Sequence, residues 1–232
     1  MAETITKGDF VELEYTGKTA DGAVFDTTSK DVADEAGLQT KKDLKPVTIC
    51  VGEQHVLAGI DKRLEGTGLG NHTFIIPAEE GFGKKSAKNL QLIPRKKFKE
   101  QGVQPIPGLE INVDNQVGTV RSVSGGRVIV DFNHPLAGKE LTYEVDVKRK
   151  VTGQQEKLKA LLDMMRVPYE DVTVKEGKAT VSGAQQLPPQ VLDHFKTDLT
   201  RLAGVDDVAF AAETEDKKPS DEKQPAASEK KQ

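Results

Sequence analysis

The chain has 232 residues, 33 Lys and Arg against 37 Asp and Glu, and 36% hydrophobic residues, a length ample for two or three modest cores. A net charge of −4 with both signs mixed throughout lacks the domain-wide basic field that dominates nucleic-acid affinity, so nucleic acid is not expected as a partner. The single cysteine, Cys50, excludes an intrachain disulfide framework and suits a reducing compartment; with no apolar leader at 1–7 and no long apolar run, a soluble cytoplasmic protein without membrane contact is expected.

The first elements follow from apolar spacing. Residues 10–15 alternate in the period of a half-buried strand, Thr16-Gly17 onward to Asp21-Gly22 reads as a turn, and 23–28 resumes an extended segment, which predicts a hairpin through Asp21-Gly22. Residues 29–45 are polar and read as a long exposed loop with one helical turn near 32–36. A buried strand at 47–51 follows. Val56, Ile60 and Leu64 then recur every four residues and predict a short amphipathic helix, stopped by the glycines of Glu65-Gly66-Thr67-Gly68. Residues 72–76 form a strand closed by Pro77.

A second, β-rich unit is expected next: a strand at 90–93, a basic helical piece at 95–101, and strands at 109–113, 117–123 and 127–132, with turns at Asp114-Asn115 and Ser124-Gly125-Gly126. Residues 141–147 alternate strongly and are expected to pair with the first sheet. Beyond 151 the order reads helix (Leu158, Leu161, Leu162, Met165), two strands around Glu176-Gly177, helix (Val191, Phe195, Leu199, Leu202, with Pro188-Pro189 in its first turn), and a last strand with Val208 and Phe210. The charged, Pro- and Ser-containing tail at 213–232 lacks an apolar period and is expected to be disordered.

Ordered through these segments are Tyr15-Thr16-Gly17, Asp21-Gly22, Val24-Phe25-Asp26-Thr27, Lys45-Pro46, Val51-Gly52, Gln54, Val56-Leu57-Ala58-Gly59-Ile60 and Gly81-Phe82-Gly83. The set resembles the successive signatures of the FKBP-class peptidyl-prolyl cis/trans isomerases. Asn133-His134-Pro135-Leu136-Ala137-Gly138-Lys139 is similar to the return segment of long, SlyD-like members that carry an insert-in-flap domain, and the C-terminal region resembles the extension of archaeal-type long forms.

The resemblance implies an α+β architecture. It consists of an FKBP half-barrel, an antiparallel sheet wrapped on a short helix, formed by 1–85 and 131–150; an insert-in-flap chaperone domain at 86–130; and a C-terminal α+β domain at 151–212. It also implies an isomerase pocket of Tyr15, Phe25, Asp26, Val56, Leu57, Ile60, Phe82 and Tyr143, with Val47 on the substrate-binding wall. Asp26 would contact the rotating carbonyl or the Tyr15 hydroxyl, and the Leu57 N–H would donate to a substrate carbonyl. Two residues depart from the family pattern: Ile60 stands where a tryptophan is usual and Phe82 where a tyrosine is usual, which weakens the case for tight macrolide binding more than for isomerase activity. Ile93, Phe98, Val103 and Ile106 are read as exposed apolar residues of the insert available to an extended client, or else as its small core.

Plainer readings stand beside these. Without the ordered motifs Tyr15 and Phe25 are ordinary strand aromatics, and Asp26 is a turn-capping aspartate. His55, His72, His134 and His194 lack the paired spacing of a metal site and are read as structural or surface residues, so no metal and no cofactor is expected. Gly66-Thr67-Gly68-Leu69-Gly70 follows a helix instead of opening one and is a turn, not a phosphate loop. Arg95, Lys96, Lys97 and Lys99 form a solvated helix face or a contact for acidic clients or the ribosome. The functional expectation is an isomerase with chaperone activity acting on unfolded or partly folded proline-containing polypeptides. The alternatives are a binding-only holdase and a dimeric assembly scaffold joined through the C-terminal domain.

Overall fold

The computed structural model describes residues 3–39, 44–113, 115–183 and 189–211. The expected tail at 213–232, Asp114, Pro188 and the side chain of His194 lie outside the described residues. The chain divides into two compact units, one ending at Thr152 and one beginning at Gly153.

The first unit begins with strand β1 (Phe10–Thr19), which hairpins into β2 (Val24–Thr27) and is followed by a short helix α1 (Lys30–Glu35) and strand β3 (Val47–Cys50). Helix α2 (Ala58–Leu64), strand β4 (Gly70–Ile76) and, after a long excursion, strand β9 (Leu141–Val151) complete the five-stranded sheet. Its order is β2-β1-β9-β4, with β3 also paired to β1, and every pairing is antiparallel. The sheet's inward face carries Leu13, Tyr143, Val145, Val147 and Ile76, all 2% exposed or less, and α2 contributes Ile60 and Leu64 to the same core.

Three local expectations are corrected. Thr16 and Gly17 belong to β1, not to a turn, because Gly17 pairs with Asp26 on one side and Tyr143 on the other; pairing on both edges outweighs the local turn preference of glycine. Helix α2 starts at Ala58, so Val56 sits in the loop before it. That loop is held by the buried carboxylate of Asp61, which accepts the N–H groups of Gly52 at 2.8 Å and Gln54 at 2.9 Å. Strand β4 begins at Gly70, two residues ahead of expectation.

The excursion between β4 and β9 forms a sheet of its own, made of β5 (Leu90–Pro94), β6 (Glu110–Val113), β7 (Gln116–Ser124) and β8 (Arg127–Asp131), with helix α3 (Arg95–Glu100) between β5 and β6. Its order is β5-β8-β7-β6. Phe98, Val120, Val128 and Val130 are its buried cluster, with Ile93, Val103, Leu109, Ile111, Val123 and Phe132 packed against them. Gly118 is required there: a Cβ would lie 2.7 Å from the Phe132 ring and from Val130.

The second unit runs α4 (Gln154–Met165), β10 (Asp171–Lys175), β11 (Lys178–Ser182), α5 (Pro189–Ala203), β12 (Asp207–Ala211), the order expected from its spacing. Strands β10 and β11 are antiparallel around Glu176-Gly177, both at positive φ, and β11 pairs in parallel with β12 through the α5 crossover. Leu158, Leu161 and Leu162 of α4, Leu199 of α5 and Val172 and Val181 of the sheet are fully buried.

Candidate active site

The concave face of the first sheet gathers aromatic rings from four separate stretches of chain. Tyr15 projects from β1, Phe25 from β2 and Tyr143 from β9, while Phe82 comes from the loop after the 3-10 turn Ala78–Glu80. The Tyr15 and Tyr143 centroids are 5.9 Å apart. Phe25 meets Tyr143 edge-on at 5.7 Å and 87°, and meets Phe82 at 6.2 Å and 77°. Edge-to-face pairs of this kind are each worth about 0.5–1.5 kcal/mol beyond the area they bury. Gly17 makes the cluster possible, since a Cβ there would lie 2.8 Å from Phe25 Cζ and 2.9 Å from the Tyr143 ring.

Asp26, neighbour of Phe25 on β2, is exposed, and its carboxylate stands close enough to the Tyr15 hydroxyl to act on its proton. Burial first, then the negative charge and hydrogen-bonding pull of Asp26, push the Tyr15 hydroxyl up to about 12. The Tyr143 hydroxyl is raised as well, mainly by burial, with Asp26 and Tyr15 adding to it. Both phenols therefore stay protonated donors at neutral pH. Ile60 is buried within α2, and Val47, Val56 and Leu57 are half-buried. The Leu57 carbonyl is taken by the N–H groups of Ile60 at 2.8 Å and Asp61 at 3.1 Å, which orients that peptide at the mouth of the helix.

The four insert residues are not alike. Phe98 is only 5% exposed, which matches the core reading and not the exposed one, because α3 packs it onto Val120, Val128 and Val130. Ile93 and Val103 are half-buried and, with one face of Phe98, line a groove of about 600 Å³ that also takes in Leu92, Leu109 and Ile111. Ile106 is 55% exposed and lies outside that lining.

Sequence reading missed the ties around the pocket. His134, read as a structural or surface histidine, stacks flat on Phe82 at 4.3 Å and 3°. Arg63 donates to the Gly59 carbonyl at 2.9 Å and to Glu80 at 2.5 Å, fastening the Phe82 loop to α2. Asp131 and Asn133 tie together the two chain segments that lead into and out of the insert. Burial alone would raise the Asp131 pKa; hydrogen bonds from Asn133, Arg121 and Lys85 outweigh it and hold the carboxyl far below its ordinary range. The signal for these residues was present in the Asn133-His134-Pro135 string, but their partners are 10 to 50 residues away in sequence, roughly the span that local periodicity cannot read. Among the described residues no group of His, Cys, Asp or Glu is arranged to hold a metal ion, and no helix is long and apolar enough to cross a membrane.

An antiparallel half-barrel closed on a short helix, carrying a cluster of aromatic rings and interrupted by a small separate sheet, is the architecture of an FKBP-type fold with an inserted flap domain. Residues 91–136 match the family model described as "FKBP26, IF domain". The chain is 31% identical over 150 residues to a short-type peptidyl-prolyl cis-trans isomerase of Methanocaldococcus jannaschii, an alignment that covers 64% of this chain and 95% of that protein. It is 25% identical to the FKBP-type 16 kDa peptidyl-prolyl cis-trans isomerase of Escherichia coli K12, over 63% of this chain and 94% of the relative. It is also 29% identical to the FKBP-type isomerase SlyD of Haemophilus influenzae, over 62% and 70%. The chain belongs to the FKBP-type peptidyl-prolyl cis-trans isomerase family, in the long form that carries an insert-in-flap domain.

Proposed function

We propose that this protein accelerates cis/trans isomerisation of X-Pro bonds in folding polypeptides, and that its insert acts as a chaperone which holds those polypeptides near the pocket. The observation that carries the reading is the run of ring contacts from Tyr15 to Tyr143, Tyr143 to Phe25 and Phe25 to Phe82, with the Asp26 carboxylate acting on the Tyr15 hydroxyl, in a chain of this family.

Rotation about an X-Pro bond breaks amide resonance across a barrier of about 18–20 kcal/mol, and uncatalysed exchange takes roughly tens of seconds. In the twisted state the carbonyl loses conjugation and the nitrogen becomes pyramidal. A water-poor aromatic cavity that grips the proline ring and leaves the preceding carbonyl free to turn favours that state over the planar one. In this reading Val47, Val56, Leu57 and Ile60 complete the wall with the rings, the Leu57 N–H donates to a substrate carbonyl, and Asp26 orients the Tyr15 hydroxyl beside the turning carbonyl. Neither nucleophile nor metal is involved.

The inferred division assigns 1–85 and 131–150 to the isomerase domain, 86–130 to the chaperone insert and 151–212 to a C-terminal domain. The groove of Ile93, Phe98 and Val103 is the proposed client surface of the insert, with Ile106 flanking it. Capture there raises the effective concentration of proline segments at the pocket. Unfolded proline-containing chains in the cytoplasm are the partners this reading requires. A ribosome contact through Arg95, Lys96, Lys97 and Lys99 and a homodimer through 151–212 are the finer partners it includes.

A binding-only holdase is the competing reading, favoured by the aliphatic Ile60 and the missing hydroxyl at Phe82. A refolding reaction limited by a slow prolyl step separates the two. The full chain at substoichiometric concentration is expected to shorten the slow phase without changing its final yield; binding without any acceleration would leave the holdase.

A further inference from the structure

Phe82 stands between Gly81 and Gly83 on a loop and is only half-buried; the N–H groups of Gly81 and Gly83 donate to the Ala78 carbonyl at 3.2 Å and 2.8 Å, which holds the backbone but leaves the direction of the ring to its neighbours. A Cβ built at Gly83 would meet nothing within 4 Å, so the loop faces open space on that side. Two neighbours meet the ring: Phe25, inclined at 77° with its centroid 6.2 Å away, and the flat face of His134 at 4.3 Å.

His134 is itself well anchored. Its Nδ1 accepts the N–H of Leu136 at 3.2 Å and its carbonyl accepts the N–H of Ala137 at 2.9 Å. The preceding Asn133 bridges the two connections to the insert: its Oδ1 accepts Ser86 N–H at 2.8 Å, and its Nδ2 donates to the Ser86 carbonyl at 3.1 Å and to Asp131 Oδ1 at 2.7 Å. Asp131 Oδ2 in turn receives Arg121 of β7 through Nε at 3.0 Å and through Nη2 at 2.8 Å. A second tie joins the same two segments where Gly138 N–H donates to the Gly83 carbonyl at 2.8 Å.

We propose that His134 is a positioning residue of the pocket: its ring stacks on Phe82 and holds it in place beside Phe25, and the chain Arg121, Asp131, Asn133, His134 makes the setting of that wall depend on the seat of the insert. The inference rests on the isomerase reading for its functional consequence. The stack and its effect on peptide affinity are measurable whether or not the protein turns substrate over.

The test is a titration of the full-length protein with a proline tetrapeptide, followed by the ring resonances of Phe82 and Tyr143, for wild type, His134→Ala and His134→Phe. In the unmutated protein the Phe82 ring protons should be shifted upfield by the imidazole face. His134→Ala, a change at an exposed residue, should leave the melting midpoint in place and weaken peptide binding about two- to tenfold, the range of one lost ring contact. His134→Phe, which restores a flat ring, should recover the affinity. In a Phe82→Leu background His134→Ala should change nothing further. If the upfield shift is missing, if His134→Ala binds as wild type does, or if His134→Phe stays as weak as His134→Ala, the positioning role is overturned. A wild type that binds the peptide but does not accelerate its isomerisation would sink the isomerase reading alone, and the affinities would still decide the role of His134.

Discussion

The barrel sheet and the insert sheet are both antiparallel, yet they dispose of their apolar side chains in opposite ways. The barrel buries Phe10, Val11, Leu13, Ile49, Ile60, Leu64, Leu141, Tyr143, Val145 and Val147 almost completely. Among the described residues the insert's buried cluster is Phe98, Val120, Val128 and Val130, while Leu90, Leu92, Ile106, Val117 and Ile129 are exposed. A scaffold that must hold four rings in fixed geometry invests its apolar surface inward, whereas a surface that must meet many unfolded chains keeps part of it in water. The difference also makes the insert the less stable of the two, because so small a core has little margin above its conformational entropy.

The largest expected effect tests that inequality. Phe98→Ala removes the ring at the centre of the insert's cluster and should cost about 3–5 kcal/mol. That loss exceeds what a core of four buried residues is expected to spare, so amide exchange should become fast throughout β5–β8 while β1 and β9 stay protected. Uniform loss of protection in both sheets would break the comparison. Gly17→Ala attacks the barrel instead: the added Cβ meets the Phe25 and Tyr143 rings, the overpacking should cost about 1–3 kcal/mol, and peptide affinity should fall while exchange in the insert is unchanged.

Asp131→Asn loosens the junction between the two sheets and should cost roughly 1–3 kcal/mol, since charge-assisted bonds to Arg121 and Lys85 are lost from a carboxylate only 6% exposed. The same group sets an acid limit. Its folded pKa is depressed, so its stabilisation is complete above the ordinary carboxylate range and drains away as pH falls below about 4. The Asn variant should lack that part of the acid transition in a melting-midpoint series. At the alkaline end the sign reverses. The Tyr15 pKa is raised to about 12, so its stabilisation is present up to the unfolded phenol value near 10 and is lost as pH climbs from there towards 12. Tyr15→Phe should flatten that slope. The smallest effect on stability belongs to Leu92→Ser with Ile129→Ser, directly opposed and exposed on β5 and β8, which should change the unfolding free energy by no more than about 0.5 kcal/mol each while weakening capture of an unfolded client.

Much of this organisation is legible in the chain. Alternation at 10–15 and 141–147 and the four-residue spacing of Ile60 and Leu64 announce elements whose faces are buried, and the turn pairs Asp21-Gly22 and Ser124-Gly125-Gly126 announce their hairpins. The failures have a common cause, which is that a distant partner decides the outcome. Gly17 looks like a turn residue until β2 and β9 are placed on either side of it. Phe98 sits among Arg95, Lys96, Lys97 and Lys99 and looks like part of an exposed basic face, but one helical position turned towards β8 buries it. His134 carries no metal spacing and no periodicity, and its value comes entirely from Phe82, more than fifty residues earlier in the chain. The four rings that the structure brings together could be named from ordered motifs; the neighbours that hold Phe82 in place could not.

The account stands on a division of labour in which the barrel turns the prolyl bond and the insert holds the client. The most direct measurement compares catalysis of a proline tetrapeptide with catalysis of a prolyl-limited protein refolding reaction, before and after residues 86–130 are replaced by a short Gly/Ser loop. The account predicts that kcat/KM for the tetrapeptide survives the replacement within about tenfold, the worth of a single pocket contact, while acceleration of protein refolding falls by more than that. Equal loss on both substrates, or undiminished refolding catalysis without the insert, would contradict it.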